Sequence, residues 1–180
     1  QIIFYGREYC TARGCALPDL SNAIDYINLE QNIAEFQPET VVFLGDLFHS
    51  TLNKSWQIFK AWVKRQPVNF TLIVGNHDVI PVTKFRELGF SVVHNIKCDG
   101  FYLTHKPEDC GMDFNICGHI HPGFKLRGKG RQFLNLSCFY QKKDQLILPA
   151  FGQFTGNYYI KPEEDEHIYV CSDQAVLQVV

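Results

Sequence analysis

The chain of 180 residues is 46% hydrophobic and carries 17 basic against 19 acidic side chains, a net charge of −2. It can bury a real core and fits one domain, residues 1–180, better than two; its charge neither draws it to nucleic acid nor excludes it, so any basic surface must be local. Seven cysteines without a Cys-x-x-Cys pair argue against a disulfide scaffold and a structural zinc knot, and favour a reducing, cytoplasmic setting. With no run near the ~18 apolar residues of a membrane span and no signal-peptide pattern, no membrane association is expected.

In chain order, Gln1 to Tyr5 reads as a strand and Arg7 to Gly14 has no clear period. Asp19 to Gln37 follows Pro18 and carries Ala23, Tyr26, Leu29, Ile33 and Phe36 at the spacing of one helical face, and Pro38 ends it. Val41 to Leu44 is a buried strand. Lys54 to Gln66 places Trp56, Phe59, Trp62 and Val63 on one side of a helix that Pro67 closes, and Thr71 to Val74 is the next strand. Strand, helix, strand is a parallel βαβ unit. Pro81 to Leu88 predicts a short helix closed by Gly89, and Ser91 to His94 a short strand. From residue 101 onward helical patterns vanish, and short alternating strands divided by Gly, Pro or Lys turns predict a mostly antiparallel half.

Four of the apolar runs end in side chains that bind metals or move protons. Val41-Val42-Phe43-Leu44 leads into Gly45-Asp46, and Thr71-Leu72-Ile73-Val74 into Gly75-Asn76-His77-Asp78. Phe101 to Thr104 leads into His105, and Phe114 to Cys117 into Gly118-His119-Ile120-His121. Strands fix position, glycines let the backbone turn, and open α/β sheets place ligands beyond the C-terminal ends of their strands. Buried Asp, Asn and His at four such ends are costly unless a cation compensates them, so the four ends read as one metal site. For His94 and His167 the plainer reading, a satisfied polar residue, is preferred.

These motifs, in this order, resemble the calcineurin-like metallophosphoesterase superfamily. Gly45-Asp46-Leu47-Phe48-His49-Ser50, Gly118-His119-Ile120-His121-Pro122-Gly123 and Leu148 to Gly156 resemble one branch of it, the bacterial ligase-associated DNA-damage-response endonucleases, and the likeness runs from about residue 36 onward. The resemblance implies an α/β fold in which a two-sheet sandwich of mixed parallel and antiparallel strands is flanked by helices in four layers. It implies two divalent cations, manganese, zinc or iron. Asp46 would bridge both, Asn76, His105 and His119 would complete one site, and His121 would belong to the other. A metal-activated hydroxide would attack phosphorus, with His77 stabilising charge or protonating the leaving oxygen and Asp78 orienting its ring. His49 would be a contact to substrate or to the ligands. The implied activity is that of a phosphodiesterase acting on DNA as a nuclease, among DNA-repair partner proteins.

Members of the superfamily open with a strand ending in Asp-x-His, and this chain departs from that pattern. No histidine precedes His49, and Asp19 and Asp25 fall in or at the start of a predicted helix. Asp165-Glu166-His167 has no apolar run before it and reads as a solvated turn. The stretch from Tyr9 to Gly14 reads as a junction between unrelated pieces, which favours a family segment missing from the sequence as written over a true deletion. A true deletion would leave a one-metal or inactive relative.

Lys125, Arg127, Lys129 and Arg131 alternate, and on a β-hairpin that spacing puts the charges on one face, suited to a phosphate backbone; a solvated turn kept polar to protect an edge strand explains them equally well. Phe139, Tyr140, Phe151 and Phe154 are candidates to stack on bases, although aromatics in a β-rich half are more often core. A small-molecule or nucleotide phosphodiesterase is the second reading, and a silent binding relative the third.

Overall fold

The computed structural model describes residues 21–48, 54–152, 155–172 and 175–180, with the backbone alone for residues 21–23 and Arg131. The expected strand at Gln1–Tyr5, the Tyr9–Gly14 junction, His49 and Phe154 lie outside the described residues. Two compact units divide the chain, one running to His94 and taking in residues 151–152, the other made of Asn95–Ala150 and Thr155–Val180. Each has its own sheet, which gives the α/β class expected from the sequence.

The first unit orders helix α1 (Ser21–Phe36), β1 (Thr40–Phe43), α2 (Lys54–Val63), β2 (Asn69–Ile73), α3 (Val82–Glu87) and β3 (Ser91–Val93). Its sheet is wholly parallel, with order β1-β2-β3 and Val42 opposite Thr71. The β-branched runs that fill these strands suit a sheet buried against helices. The α2 stripe falls as its spacing dictates: Trp56, Phe59, Trp62 and Val63 are all buried. The stripe of α1 holds at Tyr26, Leu29 and Ile33, but Phe36, in the last turn, is 70% exposed. The helix ends there, with Gln37 in left-handed backbone at φ 43°, so its final turn lies past the packed stripe.

Aromatic rings dominate this core. Phe43, Phe70 and Phe90 stack within 5.2–6.0 Å of one another, at interplanar angles of 14–19°. Phe48 meets Trp56 and Phe59 edge-on at 5.6 and 5.1 Å. Such pairs add about 0.5–1.5 kcal/mol each beyond the area they bury. The Trp62 indole N–H donates to Glu30 at 2.9 Å, tying α2 to α1 without leaving a buried donor unmatched.

The second unit holds β4 (Asn95–Cys98), β5 (Phe101–Thr104), β6 (Phe114–Cys117), β7 (Pro122–Arg127), β8 (Phe133–Gln141), β9 (Gln145–Ile147), β10 (Tyr158–Tyr159), β11 (His167–Cys171) and β12 (Val176–Gln178). They form one mixed sheet, β10-β7-β8-β9-β6-β5-β4, with β11 and β12 branching from β8. Pairs β5·β6, β6·β9 and β10·β7 are parallel and the others antiparallel. Its core is aliphatic: Ile147, Ile160, Ile168 and Val170 pack with Cys117, Cys138 and Tyr140. Burial pushes the thiols of Cys117 and Cys138 up to about 12, so both are inert at neutral pH. Of the Asp165-Glu166-His167 stretch, expected as a solvated turn, only Asp165 lies in an exposed turn; Glu166 and His167 are half-buried, and His167 opens β11. Glu166 is tied down, accepting the Tyr140 hydroxyl at 2.5 Å and the Glu163 N–H at 2.7 Å, with the Lys142 ammonium at 3.4 Å.

No helix among the described residues is long and apolar enough to cross a membrane.

Candidate functional site

In the first unit, two turns leave the C-terminal ends of neighbouring parallel strands. Beyond β1, Gly45 and Asp46 take consecutive left-handed conformations, φ 84° and 54°. Leu44, Leu47 and Phe48 on either side are 4%, 0% and 0% exposed, so apolar burial on both flanks holds the Asp46 carboxylate inside, at 1% exposure. Left-handed backbone costs a non-glycine residue about 1–3 kcal/mol and persists where the surroundings over-determine it. Beyond β2 the second turn presses against the first. A Cβ on Gly75 would meet Asp46 Oδ1 at 2.2 Å and the Asp46 nitrogen at 2.3 Å, so glycine is required there. Asp46 Oδ1 accepts the N–H of His77 at 2.9 Å.

Asp78 fastens this arrangement. Its Oδ2 accepts the N–H groups of Gly75 and Asp46 at 2.8 and 3.0 Å. Its Oδ1 accepts Leu47 at 2.7 Å and Phe48 at 3.5 Å. Both oxygens therefore serve backbone donors from the two turns. Burial pushes the Asp78 carboxyl above its usual range; those backbone donors pull it down, and the charge of Asp46 adds to the rise. Asn76 and His77, in the same turn, are exposed. Asp46, Asn76, His77 and Asp78 are thus gathered in one place by neighbouring strands.

The second unit repeats the device. β5 and β6 run parallel, with Leu103 opposite Ile116, so both strands end on the same side. His105 follows β5 and is 5% exposed; its carbonyl accepts the Gly118 N–H at 3.1 Å. His119 and His121 both sit in left-handed backbone, φ 66° and 52°. His119 Nδ1 lies 3.2 Å from His105 Nε2, with the rings at 73°. Nitrogens that close either share a proton or turn lone pairs towards a common cation. The carbonyl of His121 accepts the Tyr158 N–H at 2.9 Å, which brings β10 alongside β7.

Under His105 lies a residue that the sequence pattern had absorbed into an apolar strand. Asn115 in β6 is 1% exposed. Its amide donates to the Tyr102 carbonyl and to the Thr104 hydroxyl, both at 2.9 Å. Its Oδ1 accepts Gln145 at 2.8 Å and the Glu108 N–H at 3.2 Å. Asn115 thereby fixes the end of β5 that delivers His105. An asparagine inside Phe-Asn-Ile-Cys, where strand propensity disfavours it, was the available signal.

The basic stretch divides. Lys125 and Arg127 lie two apart on β7, exposed on one face, whereas Lys129 and Arg131 belong to a 3₁₀ turn at the hairpin's end. The alternation expected through all four stops at Gly128, because Gly130 takes φ 71° and bends the chain. Of the aromatics expected to stack on bases, Tyr140 is buried and Phe151 packs against the first core. The exposed rings on β8 and β10, the strands beside β7, are instead Phe133, Tyr158 and Tyr159, at 63%, 67% and 39%.

The family model described as calcineurin-like phosphoesterase matches residues 14–107. Among solved structures, the nuclease MPE of Pseudomonas putida superposes with a TM-score of 0.73 at 28% identity, over 90% of this chain and 82% of that one. A protein of unknown function from Aquifex aeolicus gives a TM-score of 0.44 at 17% identity, over 72% of this chain and 81% of that one. No curated protein matches the chain.

Proposed function

Because the chain belongs to the calcineurin-like phosphoesterase family, we propose that it is a nuclease, a hydrolase that cuts phosphodiester bonds in DNA. Members of this family work with divalent metals. In this reading the ligands are Asp46 and Asn76 from one unit and His105, His119 and His121 from the other, the two units acting as halves of one domain, residues 1–180. The observation that carries the reading is the buried Asp46 carboxylate, held in a left-handed turn against a glycine that leaves its oxygen room. A carboxylate that closely packed, with imidazoles and an amide, is a donor set suited to manganese, zinc or iron. When bound, the cations would supply Lewis acidity, lowering the pKa of water and drawing charge off the phosphoryl oxygens.

The chain's own groups do the rest. His77, exposed beside Asp46, hydrogen-bonds the phosphoryl group and gives a proton to the departing oxygen. Asp78 keeps the turn carrying Asn76 and His77 fixed against the Asp46 turn. Lys125, Arg127 and Arg131 hold the phosphate backbone, and His49 adds a substrate contact. Likeness to the P. putida nuclease supports a nucleic acid as substrate, and DNA is this proposal's choice. A cytoplasmic place in DNA repair, beside partner repair proteins, belongs to the same proposal and is supported by the free thiols of Cys98, Cys110, Cys117, Cys138 and Cys171.

The test is turnover of a chromogenic diester and of DNA, with added manganese, zinc or iron, by the wild type and three sets of variants. Asp46→Asn and His119→Ala lose metal binding by calorimetry. His77→Ala keeps it but turns over about 10²–10⁴-fold more slowly. Neutralising Lys125, Arg127 and Arg131 slows DNA hydrolysis more than diester hydrolysis. Turnover that ignores both chelator and His77→Ala would overturn the reading; diester hydrolysis without any on DNA would leave a small-molecule phosphodiesterase.

A further inference from the structure

The β7–β8 hairpin and the edge strand β10 present a face that carries Lys125 and Arg127 and, beside them, exposed rings to which the reading above gives no role. Strand register settles which residues share it. On β7 the alternate residues Gly123, Lys125 and Arg127 point one way, and their partners across β8 are Ser137, Asn135 and Phe133. In the parallel pair, Tyr159 stands beside Gly123. Gly123 is buried and has no room for a side chain: a Cβ there would meet the Cβ of Asn157 at 2.6 Å, and Asn157 Oδ1 accepts the Ser137 hydroxyl at 3.2 Å.

The result is two couples of a cation and a flat ring. The Lys125 ammonium lies 4.5 Å from the centre of the Tyr159 ring. Arg127 is directly opposite Phe133, which is 63% exposed. The couples are two residues, about 7 Å, apart along β7. Asn135, directly opposite Lys125, is exposed. None of the residues of these three strands is acidic. Past the hairpin's end an open recess of about 590 Å³ is lined by Arg127, Phe133 and Leu134 among others.

We propose that this face, with Lys125, Arg127, Phe133, Asn135 and Tyr159, is a docking platform for an unpaired nucleic-acid strand. Its choice of occupant rests on the nuclease reading above. Two charges and no opposing carboxylate complement a polyanion, and rings set beside those charges offer planes to bases whose neighbours are phosphates. Stacking needs a base that is free of its own stack. A duplex keeps its bases stacked inside and offers this face its phosphates alone, so the platform favours single strands. Exposed aromatic surface next to paired charges is otherwise an aggregation liability for an edge of a sheet.

The test is fluorescence anisotropy of the full chain with a labelled oligothymidylate and with a duplex of the same length, in chelator so that nothing is cut. Tyr159→Ala and Phe133→Ala each weaken oligothymidylate binding about ten-fold while duplex binding moves less, and Tyr159→Phe restores it. Changing Lys125 and Arg127 to Gln lowers the slope of log affinity against log salt by about 0.7 per charge removed. Melting curves of the variants check that these surface changes leave the fold intact. The platform is overturned if the aromatic variants bind oligothymidylate like the wild type, if single strand and duplex lose equally, or if the wild type binds neither. Diester turnover by the wild type with added metal is read in parallel. Its absence counts against the hydrolase, while strand binding in chelator judges the platform by itself.

Discussion

At Asp78 a single carboxylate fastens two turns that leave β1 and β2, accepting backbone N–H groups from both. Asp78→Ala strands these donors and is expected to cost about 1–3 kcal/mol in urea denaturation. Asp78→Asn, which keeps one acceptor oxygen, should fall between the two. Gly75→Ala is a sharper probe, because its methyl would sit within 2.2 Å of Asp46 Oδ1. Overpacking of that kind costs about 1–3 kcal/mol. Metal titration of this variant should show weakened binding even where circular dichroism shows the fold retained. The polar triplet Asn76-His77-Asp78 was legible in the sequence because it ends an apolar run at a glycine. What Asp78 grips was not: its partners are backbone amides 30 to 32 residues away and at Gly75, and no side-chain pattern encodes a backbone donor. The left-handed turns at Asp46, His119 and His121 were equally silent, since none is a glycine.

Elements were read best where period and burial agree. The stripe of α2 and the parallel β1-α2-β2 unit follow from the spacing of Trp56, Phe59 and Trp62 and from the β-branched runs on each side. Period fails where one side chain departs from its element's rule. Asn115 sits in a strand yet knots β5, β6 and β9 together, and Asn115→Ala should lose about 1–3 kcal/mol by leaving buried groups unmatched. Thermal melting would show it, and an unchanged midpoint would mean that water replaces the amide. The exposed rings of Phe133 and Tyr159 could not be told from core aromatics, because strand alternation fixes a face but not which face is covered.

Glu166 joins the turn before β11 to β8. Burial alone would raise its carboxyl, but the Glu163 N–H, the Tyr140 hydroxyl and the Lys142 ammonium outweigh it and hold the group below its usual value. A depressed folded-state pKa gives stability that is present above the unfolded value and lost as pH falls through the folded one. The wild type should therefore lose stability as pH drops below about 4, and Glu166→Gln should flatten that part of the profile. Identical acid limbs for the two proteins in melts across that range would refute it.

Across the whole molecule the two units are built of different material. Rings interlock in the first, and branched aliphatics and thiols fill the second. Phe59, 0% exposed and in contact with Phe43, Phe48, Trp56, Trp62 and Phe90, is the hub of the first. Phe59→Ala should cost about 3–5 kcal/mol in denaturant titration.

The chain's two tryptophans, Trp56 and Trp62, both belong to that first core. Light excited at the red edge of indole absorption is therefore emitted from one unit alone, and a melt followed by emission colour watches that half give way. Amide ellipticity watches both. Superimposable curves mark a single cooperative collapse, whereas a lag between them assigns each half its own midpoint.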